Sequence, residues 1–205
     1  MSEITFSDKF DEKFMNATYI ETGSNWFSTI VSWVIDSKFR RTKRLDKFLS
    51  DQLINPHENL KLCAKNFQTG SFDYRIIQIL KFVYKDVRYR ADYDAWGKTE
   101  YWATAIETLN KGNDDCDGIN ALIYILARLA HIPSWMIRCN IGSTAAGGHF
   151  WMTYYCGEGK WTAIDGTYYP DMRPINFRPE FKLNIKTYQD IWYIFNEDKM
   201  YKYRK

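Results

Sequence analysis

Cysteine, proline and glycine are all scarce in this chain of 205 residues, which contains 4, 5 and 11 of them respectively. The cysteines are widely spaced, at positions 63, 116, 139 and 156, with none of the CxxC pairs typical of zinc sites. A chain of this length also needs no disulfides to hold a core together. We therefore expect reduced thiols, and the spacing excludes a disulfide scaffold or a zinc finger.

A long apolar run and a strong excess of one charge are also missing. No run approaches the roughly 18 residues that would span a membrane, and 28 Lys and Arg against 25 Asp and Glu leave a net charge of +3. This balance does not favour a polyanionic partner such as nucleic acid. The N-terminal MSEITFSDKFDEKF lacks the basic and apolar regions of a secretory signal. We expect a protein of the cytoplasm, or one carried in a particle assembled there.

Apolar residues make up 45% of the chain, enough to bury one substantial core. In the first two-thirds they recur at helical spacing. Ser71 is a plausible helix cap, Pro56 a first-turn residue, and Gly112 a helix stop. The predicted helices cover 26–35, 42–53, a segment beginning at Pro56, 71–87, 100–112 and 115–130.

After Pro133 the pattern changes to an alternation typical of strands, rich in aromatic and β-branched residues. Strands are predicted at 134–141, 149–155, 160–165 and 191–195, with YKYRK as a basic tail. GSTAAGG (142–148) has two interpretations, a mobile rim over a cleft or an ordinary long hairpin loop, and the rim is favoured. The fold class is α+β, with N-terminal helices packed on a C-terminal antiparallel sheet.

One hairpin brings two chemically important side chains together. The glycines of CGEGK (156–160) predict a tight turn, and facing residues in an antiparallel hairpin have a constant index sum, here near 314 to 316. His149 and Asp165 sum to 314, so they should be opposite or diagonal neighbours. A histidine oriented by a carboxylate is the usual arrangement of an activated base.

Cys116 stands in GNDDCDG at the start of the predicted helix 115–130, where the helix dipole favours a thiolate. The aspartates at 114, 115 and 117 act in the opposite direction, because nearby anions raise the pKa of a thiol. Asp115 is the expected N-cap. From the residues alone Cys116 is either a nucleophile or a small buried side chain behind a helix cap.

These motifs resemble the transglutaminase-like superfamily, in the order NDDCDG, LARLAHIP, GGHFWMTY and WTAIDGT. A closer similarity is to the bacterial transglutaminase-like cysteine peptidases, which carry W-A-T-P-x-E-x-L before a G-D-C-E-D core. The chain has WATAIETL at that place, with Ala105 for the proline and Asp114 for the glycine. Because glycine adopts conformations that strain other residues, Asp114 is the position where the loop is expected to differ. The resemblance covers about residues 84 to 170.

The resemblance implies a papain-like site in which Cys116, His149 and Asp165 form the triad. It further implies that Asp115 and Asp117 bind calcium, although no cofactor is required for the chemistry. Two carboxylates do not fill the six to eight oxygens of a calcium site, so further ligands are needed. Trp102 is a candidate for lining the substrate or oxyanion site, or else a core aromatic. Residues 1–70 are interpreted as a helical extension of the same globule, and 71–205 as the transglutaminase-like domain.

Three functions follow from the resemblance. The first is a cysteine hydrolase, a peptidase or isopeptidase that acts on a protein or peptide through a thioester acyl-enzyme. The second is a transglutaminase, in which a lysine amine replaces water. The third is a structural or assembly component, for example of a phage particle, that keeps the scaffold and docks its partner through residues 1–60.

Overall fold

The computed structural model describes residues 19–21, 44–183 and 187–203. It confirms the α+β class, with helices preceding an antiparallel sheet. The helix predicted at 26–35 lies outside the described residues. The described helices are α1 (Leu45–Ile54), α2 (Glu58–Lys65), α3 (Phe72–Asp86), α4 (Asp92–Trp96), α5 (Ala105–Lys111) and α6 (Cys116–Leu129).

Local capping sets the ends of these helices. The Ser71 hydroxyl accepts a hydrogen bond from the amide of Tyr74 at 3.2 Å, so the predicted cap of α3 is confirmed. Helix α5 ends as predicted at Gly112, which has a left-handed φ of +69°. The position predicted for Pro56 was wrong. His57 is the N-cap of α2 and the helix begins at Glu58, so Pro56 precedes the cap.

The main sheet has six strands in the order β1-β8-β7-β4-β5-β6, and every neighbouring pair is antiparallel. A second, two-stranded parallel sheet joins β2 and β3. The strands are β1 (Tyr19–Glu21), β2 (Arg88–Tyr89), β3 (Asn113–Asp114), β4 (Ile137–Thr144), β5 (Gly147–Gly157), β6 (Lys160–Ile164), β7 (Tyr188–Phe195) and β8 (Met200–Tyr203).

Two sequence predictions on the sheet were wrong. GSTAAGG is not a long mobile rim, because β4 and β5 pair as far as Thr144 and Gly147 and leave only Ala145 and Ala146 in the turn. The segment taken as a basic tail begins inside β8, which pairs with β7. Tyr201 is buried there, and this burial explains why a segment of mixed charge and aromatics is a strand.

Helix α6 lies at the centre of the molecule, between the sheet and the other helices. Its residues 117–127 are all buried, because one side packs on β5 and the other on α1, α2, α3 and α5. The start of α6 lies beside β5 at a point where β6 has already ended, since the β5–β6 pairing begins at Met152 and Ile164. This arrangement exposes the edge of β5 to the first turn of α6. None of the described helices is long and apolar enough to span a membrane.

Candidate active site

The β5–β6 hairpin brings His149 and Asp165 into contact, as the index sum predicts. Asp165 directly follows β6, and its Oδ2 lies 2.8 Å from His149 Nε2. Both side chains are fully buried. The hydrogen bond fixes the plane of the imidazole and leaves Nδ1 as the nitrogen that points away from the carboxylate.

Both oxygens of Asp165 are saturated with donors. Oδ1 accepts hydrogen bonds from the amide of Thr167 at 2.9 Å and its hydroxyl at 2.8 Å, and Oδ2 accepts a second bond from the Tyr188 hydroxyl at 3.2 Å. Burial alone would raise the pKa of Asp165, but the bonds from His149 and Thr167 outweigh it and hold this pKa below its usual value. The carboxylate therefore stays ionised. No sequence pattern indicates a role for Tyr188, which β7 brings across the sheet.

Aromatic rings enclose the imidazole of His149. Tyr168 stacks on it with ring centroids 4.6 Å apart, and Trp151 stacks at 5.9 Å. The Tyr168 hydroxyl also shares a hydrogen bond of 2.7 Å with that of Tyr89, which extends from β2. Nδ1 of His149 is buried and makes no hydrogen bond within the described ranges. A buried nitrogen without a partner is rare and calls for a specific explanation, of which a catalytic role is one.

Cys116 is the first residue of α6. The predicted cap is confirmed, because the Asp115 carboxylate accepts a hydrogen bond from the Asp117 amide at 3.0 Å. Burial and then the charges of Asp115 and Asp117 raise the pKa of the Cys116 thiol well above its ordinary value, while a hydrogen bond from the backbone of Phe150 lowers it. Since Phe150 follows His149, this bond brings the sulfur beside the strand that carries the imidazole, but the described residues show no hydrogen bond between the sulfur and Nδ1 of His149.

Asp114 fits its loop without strain, contrary to the expectation from the glycine it replaces. Among the described residues other than glycine, only His131 and Glu158 have positive φ. The Asp114 carboxylate accepts hydrogen bonds from the Thr108 hydroxyl at 2.6 Å, the Trp96 indole at 2.9 Å and the Asp115 amide at 3.0 Å. Asp114 thus joins α4 and α5 to the turn before Cys116.

The structure places two further acids beside Asp117. Carboxylate oxygens of Asp92, Glu100 and Asp117 all lie within 4.8 Å of one another, and those of Asp92, Asp114 and Asp115 form an overlapping group. Oδ1 of Asp92 and Oδ1 of Asp117 are buried without a hydrogen-bond partner in the described part of the chain. Two orphaned, buried carboxylate oxygens suit a hard cation, which prefers oxygen ligands.

The pKa values of these acids also suit a bound cation. Burial, followed by the charge of Asp115, raises the pKa of Asp92 to about 6 and raises that of Asp117 well above its usual value. The cluster is therefore unfavourable when all of its carboxylates are ionised and no cation is bound. The resemblance predicts Asp115 and Asp117 as calcium ligands but does not point to Asp92 or Glu100. The only signal for these two acids is the acidic segment ADYDAWGKTE, which no spacing rule connects to Cys116.

Trp102 lies between the acidic cluster and β5. Its ring stacks on Phe150 with centroids 6.0 Å apart and meets Phe48 edge-on at 5.6 Å. Its indole N–H donates to Glu100 at 3.1 Å. Trp102 is therefore partly a core aromatic and partly a neighbour of the site, because Phe150 also contacts the sulfur of Cys116.

A family model described as the transglutaminase-like superfamily matches residues 64–166. The match covers half of the chain and includes Cys116, His149 and Asp165. The chain belongs to the transglutaminase-like superfamily. Among curated proteins, no sequence matches it.

Solved structures agree with this family assignment at the level of the fold. Calcium-bound LapG of Legionella pneumophila superposes with a TM-score of 0.52 at 17% identity, covering 70% of this chain and 74% of LapG. EGTA-treated LapG gives the same TM-score at 15% identity and covers 77% and 84%. At such low identity the likeness establishes a common transglutaminase-like fold, and the chemistry must be argued from the site.

Proposed function

We propose that this transglutaminase-like protein is a cysteine-dependent hydrolase, a peptidase or isopeptidase. The observation that carries the proposal is the buried pair of His149 and Asp165, 2.8 Å apart, whose imidazole keeps Nδ1 free of other hydrogen bonds. Cys116 lies at the start of α6, and its sulfur accepts a hydrogen bond from the residue after His149. A base held by a carboxylate, on a strand that contacts a helix-terminal thiol, supports thioester chemistry.

In the proposed reaction the thiol proton of Cys116 passes to Nδ1 of His149, and the sulfur attacks the carbonyl carbon of the peptide. The backbone N–H groups at the start of α6 face the developing oxyanion. The imidazolium then returns the proton to the leaving amine as the C–N bond breaks, which leaves a thioester. Water, deprotonated by His149, attacks the thioester and releases the acid and the free thiol. Asp165 holds the ring and stabilises the imidazolium.

We also propose calcium as a ligand of the acidic cluster. Asp92, Glu100 and Asp117 would hold the ion, with Asp115 and Asp114 next to them, and water or backbone oxygens would complete its six to eight ligands. When bound, calcium neutralises the acids that raise the pKa of the Cys116 thiol. The LapG relative in its calcium-bound form makes this cation the first to test.

Trp102 is proposed to form a wall of the substrate site. It stacks on Phe150, whose backbone contacts the sulfur, so a peptide bound at Cys116 would lie against this indole. The substrate is a polypeptide. Whether water or an amine accepts the acyl group is decided by the products, since an added primary amine would appear in the product of a transglutaminase and not in that of a hydrolase.

A thiol-directed activity probe tests the proposal. With calcium present, so that the acids that raise the pKa of the Cys116 thiol are neutralised, we expect an iodoacetamide-based probe to label Cys116 of the wild type much faster than Cys63, Cys139 or Cys156, as read by peptide mass spectrometry. Labelling of residue 116 should disappear in Cys116→Ala and fall strongly in His149→Ala, while His131→Asn, which tolerates the left-handed φ at that position, serves as the histidine control. Equal labelling of all four cysteines, or no effect of His149→Ala, would contradict the assignment.

A further inference from the structure

Asn120 is a polar residue within the apolar stretch of α6. It lies one turn after Cys116 in α6 and is completely buried. A polar amide in such a place must find partners for two N–H groups and one carbonyl, or destabilise the fold. Its partners are therefore informative about the role of the residue.

All of the partners of Asn120 are backbone atoms, and each belongs to a different segment of the candidate active site. Nδ2 donates to the carbonyl of Cys116 at 3.0 Å and to the carbonyl of Phe150 at 2.7 Å. Oδ1 accepts from the amide of Gly166 at 3.0 Å. Cys116 is the candidate nucleophile, Phe150 follows His149, and Gly166 follows Asp165. One planar side chain thus connects the three segments that carry the triad.

The start of β5 needs this connection, because it pairs with β4 on one edge but has no β6 neighbour on the other. The β5–β6 pairing begins only at Met152, so the backbone of Phe150 has no β6 partner. The first turn of α6 replaces it, since the Cys116 sulfur takes the Phe150 amide and Asn120 takes the Phe150 carbonyl. Without Asn120 that buried carbonyl would lose its donor.

The segment after Asp165 fits closely against α6, as the surroundings of Gly166 show. A Cβ built at Gly166 would lie 2.6 Å from Cδ1 of Ile123 and 2.7 Å from Cγ2 of Ile119, both of which are on α6. The segment after Asp165 therefore lies directly against the helix, at a distance that only glycine permits. Its amide reaches the Asn120 carbonyl because of this close approach.

We propose that Asn120 is a positioning residue that holds the segments of Cys116, His149 and Asp165 at one fixed separation. This inference rests on the proposed function of the triad. The amide is suited to the task because its donors and acceptor are coplanar, so it fixes three backbone atoms at once. An apolar residue of similar volume fills the same space but binds none of them. A misplacement of about 1 Å at a reacting group lowers a rate by roughly 100-fold.

The test compares Asn120→Leu and Asn120→Asp in the full chain with calcium present. Leu keeps the branched shape of the side chain, with methyl groups somewhat larger than the amide, and removes every hydrogen bond, whereas Asp keeps the acceptor for Gly166 and loses both donors. Asn140→Ala is the control, because Asn140 is another fully buried asparagine, whose amide donates to Arg138 and Thr153 in β4 and β5. The readouts are the melting temperature and the rate of Cys116 alkylation by iodoacetamide across a pH series.

We expect both Asn120 variants, or whichever of them folds, to react about 100-fold more slowly than the wild type. Their pH profile should approach that of His149→Ala, while Asn140→Ala keeps the wild-type rate and profile. A folded Asn120→Leu with the wild-type rate overturns the inference, and so does an equal slowing in Asn140→Ala at the same loss of melting temperature. If the wild type itself reacts no faster than His149→Ala, the proposed function fails and this inference fails with it.

Discussion

Asp165 is the residue on which the charge balance of the candidate active site depends. It receives four hydrogen bonds, from His149, Tyr188 and, twice, Thr167. Four donors allow a buried carboxylate to remain ionised, and an ionised Asp165 is what favours a protonated His149 during the proposed reaction. The structure therefore predicts a pH-dependent contribution of this residue to stability.

Replacing Asp165 by Asn should destabilise the protein by roughly 1 to 3 kcal/mol at pH 7, because charge-assisted hydrogen bonds to buried partners are lost. The pKa of Asp165 is lowered on folding. The unfolded chain therefore binds more protons than the native one near pH 4, and the stabilising effect of Asp165 is complete only above the unfolded pKa of about 3.9. The stability difference between wild type and Asp165→Asn should shrink as the pH falls through the folded pKa.

Chemical denaturation of both proteins between pH 7 and pH 3 measures this difference. Asp190→Asn is a suitable control, since Asp190 lies on β7 and its carboxylate accepts a hydrogen bond from Ser143 at an exposed site. A difference that stays constant over the whole range would show that the charge of Asp165 has no role in stability.

The contact of His149 with Asp165 could be predicted from the sequence because a hairpin fixes both residues through one short turn. Asn120 could not be predicted in the same way, although an asparagine among apolar residues of a helix was a visible signal. Tyr188 left no signal, because β7 reaches Asp165 only through a register set by the whole sheet. Long-range registers of this kind depend on packing, which local periodicity does not contain.

At the level of elements, the first turn of α6 is shaped by a pair of residues, Asp114 and Gly118. A Cβ built at Gly118 would collide with the Asp114 carboxylate and lie 2.8 Å from the Thr108 hydroxyl. Alanine normally stabilises a helix interior relative to glycine by about 1 kcal/mol. Here the space is already filled by the carboxylate that links α4, α5 and the turn before Cys116.

Gly118→Ala should therefore destabilise the protein by roughly 1 to 3 kcal/mol, as overpacked sites do, in spite of the better helix propensity. Asp114→Ala alone should also destabilise, because Thr108 and Trp96 lose their acceptor. In the double variant the collision with the carboxylate is gone. Its loss of unfolding free energy should therefore be much smaller than the sum of the losses in the two single variants. Equilibrium urea unfolding of the four proteins gives the coupling energy, and simple additivity would contradict the steric explanation.

The caps and alternating patterns allowed most elements to be predicted from the sequence, including α3, α6 and the β5–β6 hairpin. The failure at GSTAAGG has a physical cause. Small residues are typical of loops and therefore predict a loop there, yet Gly142 sits where a Cβ would meet the backbone of β7. The small residues there allow a close approach of strands, and only the assembled sheet reveals this use of glycine.

At the scale of the whole molecule, α6 is shared between two layers that come from different parts of the chain. Leu49 of α1 and Leu60 of α2 are buried in the same core as the sheet, although the family match begins only at residue 64. The side chain of Gln52 also accepts a hydrogen bond from the Ala105 amide at 2.7 Å. These helices therefore support the side of α6 that faces away from the sheet, and α1 also holds the start of α5 within WATAIETL.

The acidic cluster brings together carboxylates from three segments, the start of α4 at Asp92, the loop at Glu100 and the start of α6. A cation bound there would stabilise the native state alone, because the unfolded chain does not bring these carboxylates together. At a calcium concentration 100 times the dissociation constant, the added stability is about 2.7 kcal/mol. For a chain of this size, that corresponds to a rise in melting temperature of about 5 to 10 °C.

The Asp92→Asn variant separates calcium binding from a general effect of salt. The difference in melting temperature between this variant and the wild type should change sign between EGTA and calcium. In excess EGTA the variant should melt at or above the wild-type temperature, because it removes one charge from a cluster whose burial raises the pKa of Asp92 to about 6. The amide can still accept the hydrogen bond that Tyr101 donates to Asp92. In calcium the order should reverse, because the variant lacks a ligand that the wild type has.

Asp51→Asn, at an exposed site on α1, should behave like the wild type in both buffers. A wild type whose melting temperature is the same in calcium and in EGTA would remove calcium from the proposal, since carboxylates that gain no stability from the ion do not bind it.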